Sequence, residues 1–247
     1  MRLKNKKAIV TGGASGFGAE IARVFAREGA SVLIVDCNQA GAEAVAAEIG
    51  GLAVYCDVTS RSDIVAAVDF GISNFGKIDL MINNAGWCYP NKPMLDASEE
   101  EFDRVYDVNV KSIFHVAKAI VPHMRACKGG AIVNIGSTGG IRPRPGLTWY
   151  NGSKAAVNML SRSMAIELAP DHIRVNCVAP VIGVTGLLEN FMGMSDTAEN
   201  RAKFIATIPL GRLTDPADVA GACLYLASDE ASFVTGVVLE VDGGRTI

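Results

Sequence analysis

Seven short apolar runs recur along this chain, each closed by a polar residue or a glycine and separated from the next by a longer stretch. They are Lys7–Val10, Ser31–Asp36, Leu52–Cys56, Ile78–Ile82, Ala131–Ile135, Ile173–Val178 and Val237–Val241. Runs of this length with little polar alternation suit strands buried on both faces. Helical patterns lie between them, among them Ala40–Ile49, Ser62–Phe75 and Leu147–Leu168. Such alternation predicts an α/β fold, a single-domain doubly wound parallel sheet of about seven strands with helices on both faces. Ligands of such sheets gather at the carboxyl ends of the strands. No repeat, low-complexity tract or linker interrupts the pattern, so residues 1–247 read as one domain. Residues 184–208 are less regular and read as an insertion.

The first run opens into Thr11-Gly12-Gly13-Ala14-Ser15-Gly16-Phe17-Gly18, after which Ile21, Val24, Phe25 and Ala26 begin a helical pattern. Strand, glycine turn and helix together set backbone N–H groups and a helix N-terminus against a pyrophosphate. Gly12, Gly16 and Gly18 permit the tight turn and the close approach. Their spacing is G-x-x-x-G-x-G. The second run ends in Asp36, placed to accept hydrogen bonds from adenosine ribose hydroxyls. Asp57 and Asn84 follow the third and fourth runs, so both should converge with Asp36. Cys37 and Asn38 come next to Asp36, and the turn carries no lysine or arginine. A carboxylate there without a nearby cation favours NAD over NADP.

Tyr150 and Lys154 are four apart in the pattern 147–168, so on a helix they share a face. A free phenol is a poor base at neutral pH. A neighbouring ammonium favours the phenolate and is expected to lower the phenol's pKa, suiting Tyr150 to exchange a proton with a substrate oxygen. A second long helical stretch, 98–127, is broken near Asn109, since asparagine competes for backbone groups. Asp215 and Pro216 open a further helix as N-cap and first residue, running to about Ala227.

Composition excludes several classes. No apolar run approaches the about 18 residues of a membrane span. The net charge of −3 is scattered in both signs, which argues against a nucleic-acid or membrane surface. The segment after the basic start is too short for a secretory apolar region. Six cysteines are widely spread, with no C-x-x-C pair and no histidine cluster. Reduced cytoplasmic thiols fit better than disulfides, and no metal site is expected.

Taken in order, these residues resemble the short-chain dehydrogenase/reductase family over nearly the whole chain. The matching pieces are the Thr11–Gly18 turn, Asp57-Val58, Asn83-Asn84-Ala85-Gly86, Asn109, Ser137 and the Tyr150/Lys154 pair. Further pieces are Arg174-Val175-Asn176, Val178-Ala179-Pro180, Pro209-Leu210-Gly211-Arg212 and Val241-Asp242-Gly243-Gly244. The nearest branch resembles the bacterial 3-oxoacyl-carrier-protein reductase and secondary-alcohol or sugar dehydrogenase group.

The resemblance implies a Rossmann fold and an NAD-dependent oxidoreductase that moves a hydride between nicotinamide and a secondary alcohol or ketone. Tyr150 would be the acid/base, Lys154 would hold the nicotinamide ribose, and Ser137 would bind the carbonyl oxygen. Asn109 would position a water that relays protons to Lys154. The cofactor would contact Gly12, Ser15, Gly16, Phe17, Gly18, Asp36 and Cys37. It would also contact Asp57, Val58, Asn84, Ala85, Gly86 and Pro180, with Gly183 and Thr185 near the carboxamide. The insertion would act as a substrate lid. The implied pocket wall of Trp87, Ile141, Leu147, Trp149, Val181, Leu187, Leu188, Phe191 and Met192 suits a small or medium apolar ketone or alcohol. Arg142 and Arg144 could meet an anionic substrate, but solvated side chains are the simpler expectation. A homotetramer is implied, with residues 215–227 and 237–241 at an interface.

Two departures bear on this. Pro180 is followed by Val181 where the family has glycine, expected to stiffen the turn. Asp171 stands where carrier-protein reductases place a basic residue, which argues against an acyl-carrier-protein partner. An NADPH-dependent 3-oxoacyl-carrier-protein reductase is therefore the alternative, and a non-catalytic nucleotide sensor a weaker one.

Overall fold

The strands are β1 (Lys7–Thr11), β2 (Ser31–Asp36), β3 (Leu52–Tyr55), β4 (Leu80–Asn83), β5 (Gly130–Ile135), β6 (Ile173–Pro180) and β7 (Val238–Val241). This computed structural model describes residues 1–247. All pairings are parallel, and the sheet runs β3-β2-β1-β4-β5-β6-β7. The helices are α1 (Gly16–Arg27), α2 (Gln39–Ile49), α3 (Arg61–Phe75), α4 (Glu99–Tyr106), α5 (Ser112–Ala126), α6 (Thr148–Leu168), α7 (Leu188–Met192), α8 (Ala198–Ile205) and α9 (Pro216–Ala227). The expected doubly wound sheet is present. The expected start of the fourth strand at Ile78 shifts to Leu80, and the sixth extends to Pro180.

Each central strand feeds two cores because successive side chains alternate faces. Ala8 and Val10 of β1 join one core with residues of α1, α2 and α9, while Ile9 joins the other with α3, α5 and α6. Leu80 and Ile82 of β4 repeat the division against Met81. Asp215 caps α9 through Ala217 N at 2.9 Å and forms a capping box with Asp218. Between α4 and α5, Asp107–Lys111 forms a π turn that carries Asn109, at the break expected there. No helix is long and apolar enough to cross a membrane.

The strand order reverses between β1 and β4, which opens a crevice at their carboxyl ends. Thr11 and Asn84 hold that crevice. The buried Thr11 hydroxyl donates to Ile82 O and accepts from the N–H groups of Asn84 and Ala85, both at 3.1 Å. The Asn84 amide donates to Thr11 O at 3.0 Å and Gly12 O at 2.9 Å. Thr11→Val keeps the shape but strands two backbone donors. It is expected to lower unfolding stability by at least about 2 kcal/mol, measured by urea denaturation. A wild-type midpoint would mean that the hydroxyl carries no such tie.

Candidate active site

The glycine turn works through close contacts. Gly12 and Gly16 have φ of +63° and +54°, in the left-handed region that side chains avoid. A Cβ at Gly18 would collide with Gly12 O, so helix α1 packs directly on the turn. Asp36, at the end of β2, accepts from Ala14 N at 3.0 Å and Asn38 N at 2.8 Å. Asp57 accepts from Thr59 N and its hydroxyl. Phe17 lies against Gly183, where a Cβ would strike its ring, and Thr185 stands opposite Gly16.

These residues line one cleft of about 850 Å³. Gly12, Ser15, Gly16, Phe17, Asp36 and Cys37 border it, as do Asp57, Val58, Asn84, Ala85 and Gly86. Pro180, Gly183 and Thr185 close the opposite side. Gly18 lies behind the turn rather than on the cleft. A backbone cradle that excludes any Cβ, next to a carboxylate at a strand end, fits a dinucleotide with a ribose at Asp36.

Tyr150, Ser137 and Lys154 stand farther along the same cleft. Ser137 Oγ accepts from Gly139 N at 3.0 Å, which leaves its own proton free to donate. Lys154 Nζ donates to Ile135 O at 2.8 Å and lies 6.0 Å from the Tyr150 ring centre. Burial dominates the electrostatics. It pushes the Tyr150 phenol well above its ordinary value, opposed more weakly by the Ser137 hydroxyl, and pulls the Lys154 ammonium down to about 8. The direction is thus opposite to the expected lowering, because removal from water dominates. Burial therefore favours the neutral phenol at Tyr150.

Asn109 is buried behind this group rather than on the cleft. Its Nδ2 donates to Trp87 O and Ser153 Oγ, both at 3.0 Å, and its Oδ1 accepts from Trp87 N at 2.8 Å. Both amide hydrogens are spent, so only the second lone pair of Oδ1 stays free. A Cβ at Gly86 would sit 3.4 Å from Asn109 Oδ1 and 3.5 Å from Lys154 Nζ, so the two groups meet at Gly86.

The apolar wall is only partly as expected. Trp87, Leu147, Val181, Leu187 and Phe191 reach the cleft, with Phe191 edge-on to Tyr150 at 5.1 Å between ring centres. Ile141 does not, since it faces solvent. Leu188 and Met192 do not either. As inward residues of α7 they bury against Ile182, Ile208 and Leu213. Trp149 turns toward Phe102, and its Nε1 donates to Met94 O. Val181 strains nothing. Its N–H donates to Val241 O at 3.2 Å, continuing the β6–β7 pairing with no positive φ. Asp171 is paired with Arg125 at 2.7 Å.

Sequence reasoning missed several groups on the cleft, among them Glu100, Asp103, Arg104 and Asp107, and two more near the reacting residues. Arg245 borders the cleft beside Arg142 and Arg144; Arg142 is exposed, whereas Arg144 and Arg245 are half-buried. Asn151, next to Tyr150, borders it with Oδ1 buried and unpartnered. Nothing local marks Arg245, which lies far from the other two along the chain.

A family model described as enoyl-(acyl carrier protein) reductase matches residues 12–246. The chain is 51% identical over 252 residues to 4-formylbenzenesulfonate dehydrogenase of Comamonas testosteroni, covering 100% of both. Among solved structures, 3-ketoacyl-(acyl-carrier-protein) reductase of Brucella melitensis complexed with NADH superposes with a TM-score of 0.94. It is 44% identical, covering 99% of this chain and 100% of that one. A 7α-hydroxysteroid dehydrogenase complexed with NADH and 7-oxo glycochenodeoxycholic acid gives 0.91 at 41% identity, covering 98% and 95%. With this likeness along its full length, the chain belongs to the short-chain dehydrogenase/reductase family, whose members pass a hydride between nicotinamide and a carbinol carbon.

Proposed function

We propose that this protein is an NAD(H)-dependent oxidoreductase for a ring-bearing secondary alcohol or its ketone, with Tyr150 as the acid/base. The observation that carries the reading is the convergence of Ser137, Tyr150 and Lys154 in the cleft that begins at Asp36 and the glycine turn. The aromatic lining of Trp87 and Phe191 supports a ring substrate. So do the relatives' ligands, a formylbenzenesulfonate and a steroid acid.

The nicotinamide supplies the hydride when bound. The chain's own groups handle the oxygen. Ser137 donates its free proton to the substrate oxygen and stabilises negative charge there. Tyr150, held neutral by burial, gives its proton to that oxygen in reduction and takes one back in oxidation. The Lys154 ammonium, anchored on Ile135 O, stabilises the phenolate so formed. Asn109 holds the Trp87 backbone and Ser153 behind them, and its remaining Oδ1 lone pair is available to a water near Lys154. The 184–208 insertion, carrying α7 and α8, covers the substrate end as a lid. Six unpaired thiols fit a cytoplasmic setting.

We read the assembly as a homotetramer. β7 pairs only with β6, so its outer edge lies open beside exposed Leu210, Phe233 and Ile247. Exposed Phe114 on α5, with Met159 and Ile166 on α6, offers further apolar surface. Light scattering at micromolar concentration should give about four chains per particle; a stable monomer would overturn the assembly.

Tyr150→Phe removes the proton donor. Turnover should fall by about 10²–10⁴, while NADH binding followed by fluorescence stays near wild type. Substantial activity in this variant on every ketone tested would refute the role of Tyr150. Cofactor choice rests on Asp36, whose carboxylate would face the NADP 2′-phosphate with no cation beside it. NAD(H) should be preferred by at least about a hundredfold in kcat/KM, or about 2.8 kcal/mol. Asp36→Ala should relax the preference, and Asp36→Ser with Cys37→Arg should reverse it. Equal efficiency with NADPH in the wild type would contradict this and favour the 3-oxoacyl reductase reading.

A further inference from the structure

Three arginines meet at the substrate end of the cleft, and none pairs with an aspartate or glutamate. Each does a different job. Arg142 is a strut. Its Nη1 donates to Arg245 O at 2.7 Å and Ile247 O at 3.1 Å, tying the segment after Gly244 to the loop before α6. Arg144 is fixed at both ends. Its carbonyl accepts from Asn151 Nδ2 at 2.9 Å, one residue from Tyr150, and its guanidinium lies 5.2 Å over Phe204 with Nη2 on Thr207 Oγ1 at 3.1 Å. Arg245 is unfinished. Its Nε and Nη1 are buried without a hydrogen-bond partner.

Like charges gathered in a partly dry corner repel, and a buried N–H donor without an acceptor carries a desolvation cost of about 1–3 kcal/mol. Burial pulls the Arg144 guanidinium down to about 10, with the charges of Arg245 and Arg142 acting in the same direction. A solvated rim would show none of this. An oxyanion of planar or tetrahedral geometry at the cleft-lining faces of Arg144 and Arg245 would offset the repulsion, because guanidinium forks match carboxylate and sulfonate oxygens.

We propose that Arg144 and Arg245 form an anion subsite that binds a carboxylate or sulfonate on the substrate, at the end of its ring away from the reacting carbon. The assignment rests on the alcohol/ketone reading above. Arg142 is a positioning residue that holds Arg245 in place through the main chain. The ring lies between the two poles, against Leu147 and Phe191, with its carbinol oxygen at Tyr150 and Ser137 and its acid group at the arginines.

The test compares 4-acetylbenzoate, 4-acetylbenzenesulfonate and methyl 4-acetylbenzoate as ketone substrates with NADH. The wild type should prefer the two anions over the ester by at least about tenfold in kcat/KM, mainly through KM. Arg144→Ala and Arg245→Ala should each lower that anion-to-ester ratio by about ten- to hundredfold, and Arg245→Lys should retain part of it. Inorganic sulfate should compete against 4-acetylbenzoate and not against the ester. Equal wild-type efficiency on ester and acid would overturn the subsite while leaving the reaction intact, and needs no variant. Sulfate competing equally against both would also overturn it. Should no ketone turn over, binding of 4-acetylbenzoate to the NADH complex separates the two ideas. Binding lost in Arg245→Ala keeps the subsite and sinks the reaction, whereas no binding sinks the subsite as well.

Discussion

The clasp between β1 and β4 is the constraint on which the rest of the cleft depends. The winding of the chain reverses there, so no helix covers the carboxyl ends of these two strands. Without a covering element, the backbone after Thr11 must find partners from side chains. Asn84 supplies two donors to the Thr11 and Gly12 carbonyls, and Thr11 supplies an acceptor to two N–H groups in return. That exchange fixes the path of the turn. Only then do the left-handed Gly12 and Gly16, and the bare Gly18 against Gly12 O, present backbone to a ligand.

A second polar chain carries this order across the sheet to the reacting groups. Asn83 donates to Asn134 Oδ1 at 2.8 Å, and Asn134 donates to Ser161 Oγ at 2.9 Å, linking β4, β5 and α6 in the buried interior. Asn158, also on α6, donates to Ser137 O. The helix that bears Tyr150 and Lys154 is therefore registered against the loop that bears Ser137 by hydrogen bonds as well as by packing. Buried polar networks are costly if half satisfied, and the Ser161 hydroxyl continues this one to Val157 O at 2.8 Å. The spacing of Ser137, Tyr150 and Lys154 is thus supported by polar groups behind them.

The sheet and the cofactor end were legible in the sequence because their signals are local. An apolar run followed by a glycine turn or an acid is a strand end wherever it falls, and four-residue spacing puts Tyr150 beside Lys154 in any helix. The substrate end was less legible. Ile141 and Leu188 carry the right chemistry for a pocket, but the direction of a side chain on a loop or a two-turn helix depends on what packs behind it. Asn109 shows the same limit. Its break of the helix was readable, yet the saturation of its amide by Trp87 and Ser153 comes from tertiary contacts. The sign of the Tyr150 shift was misread because neighbouring charge is visible in a sequence and depth of burial is not.

Arg245 is the extreme case, since it reaches the cleft only after the chain has crossed the whole sheet. Its arrival adds a guanidinium beside Arg142 and Arg144 on the cleft wall. Carboxylates Asp36 and Asp57 mark the adenosine end, the phenol and ammonium stand at the middle, and unpaired guanidinium groups mark the far end. A dinucleotide's ribose hydroxyls suit the first pole as donors. A substrate with an acid group suits the last, and would be repelled from the first. On the proposed subsite, the guanidinium cluster would attract an anionic ring compound before any close contact forms, because fields in a cleft with low-dielectric walls are focused rather than screened. The carbinol end would thereby turn toward Tyr150. The charge placed beyond the reacting groups stands on a frame whose local sequence signals describe only its cofactor half.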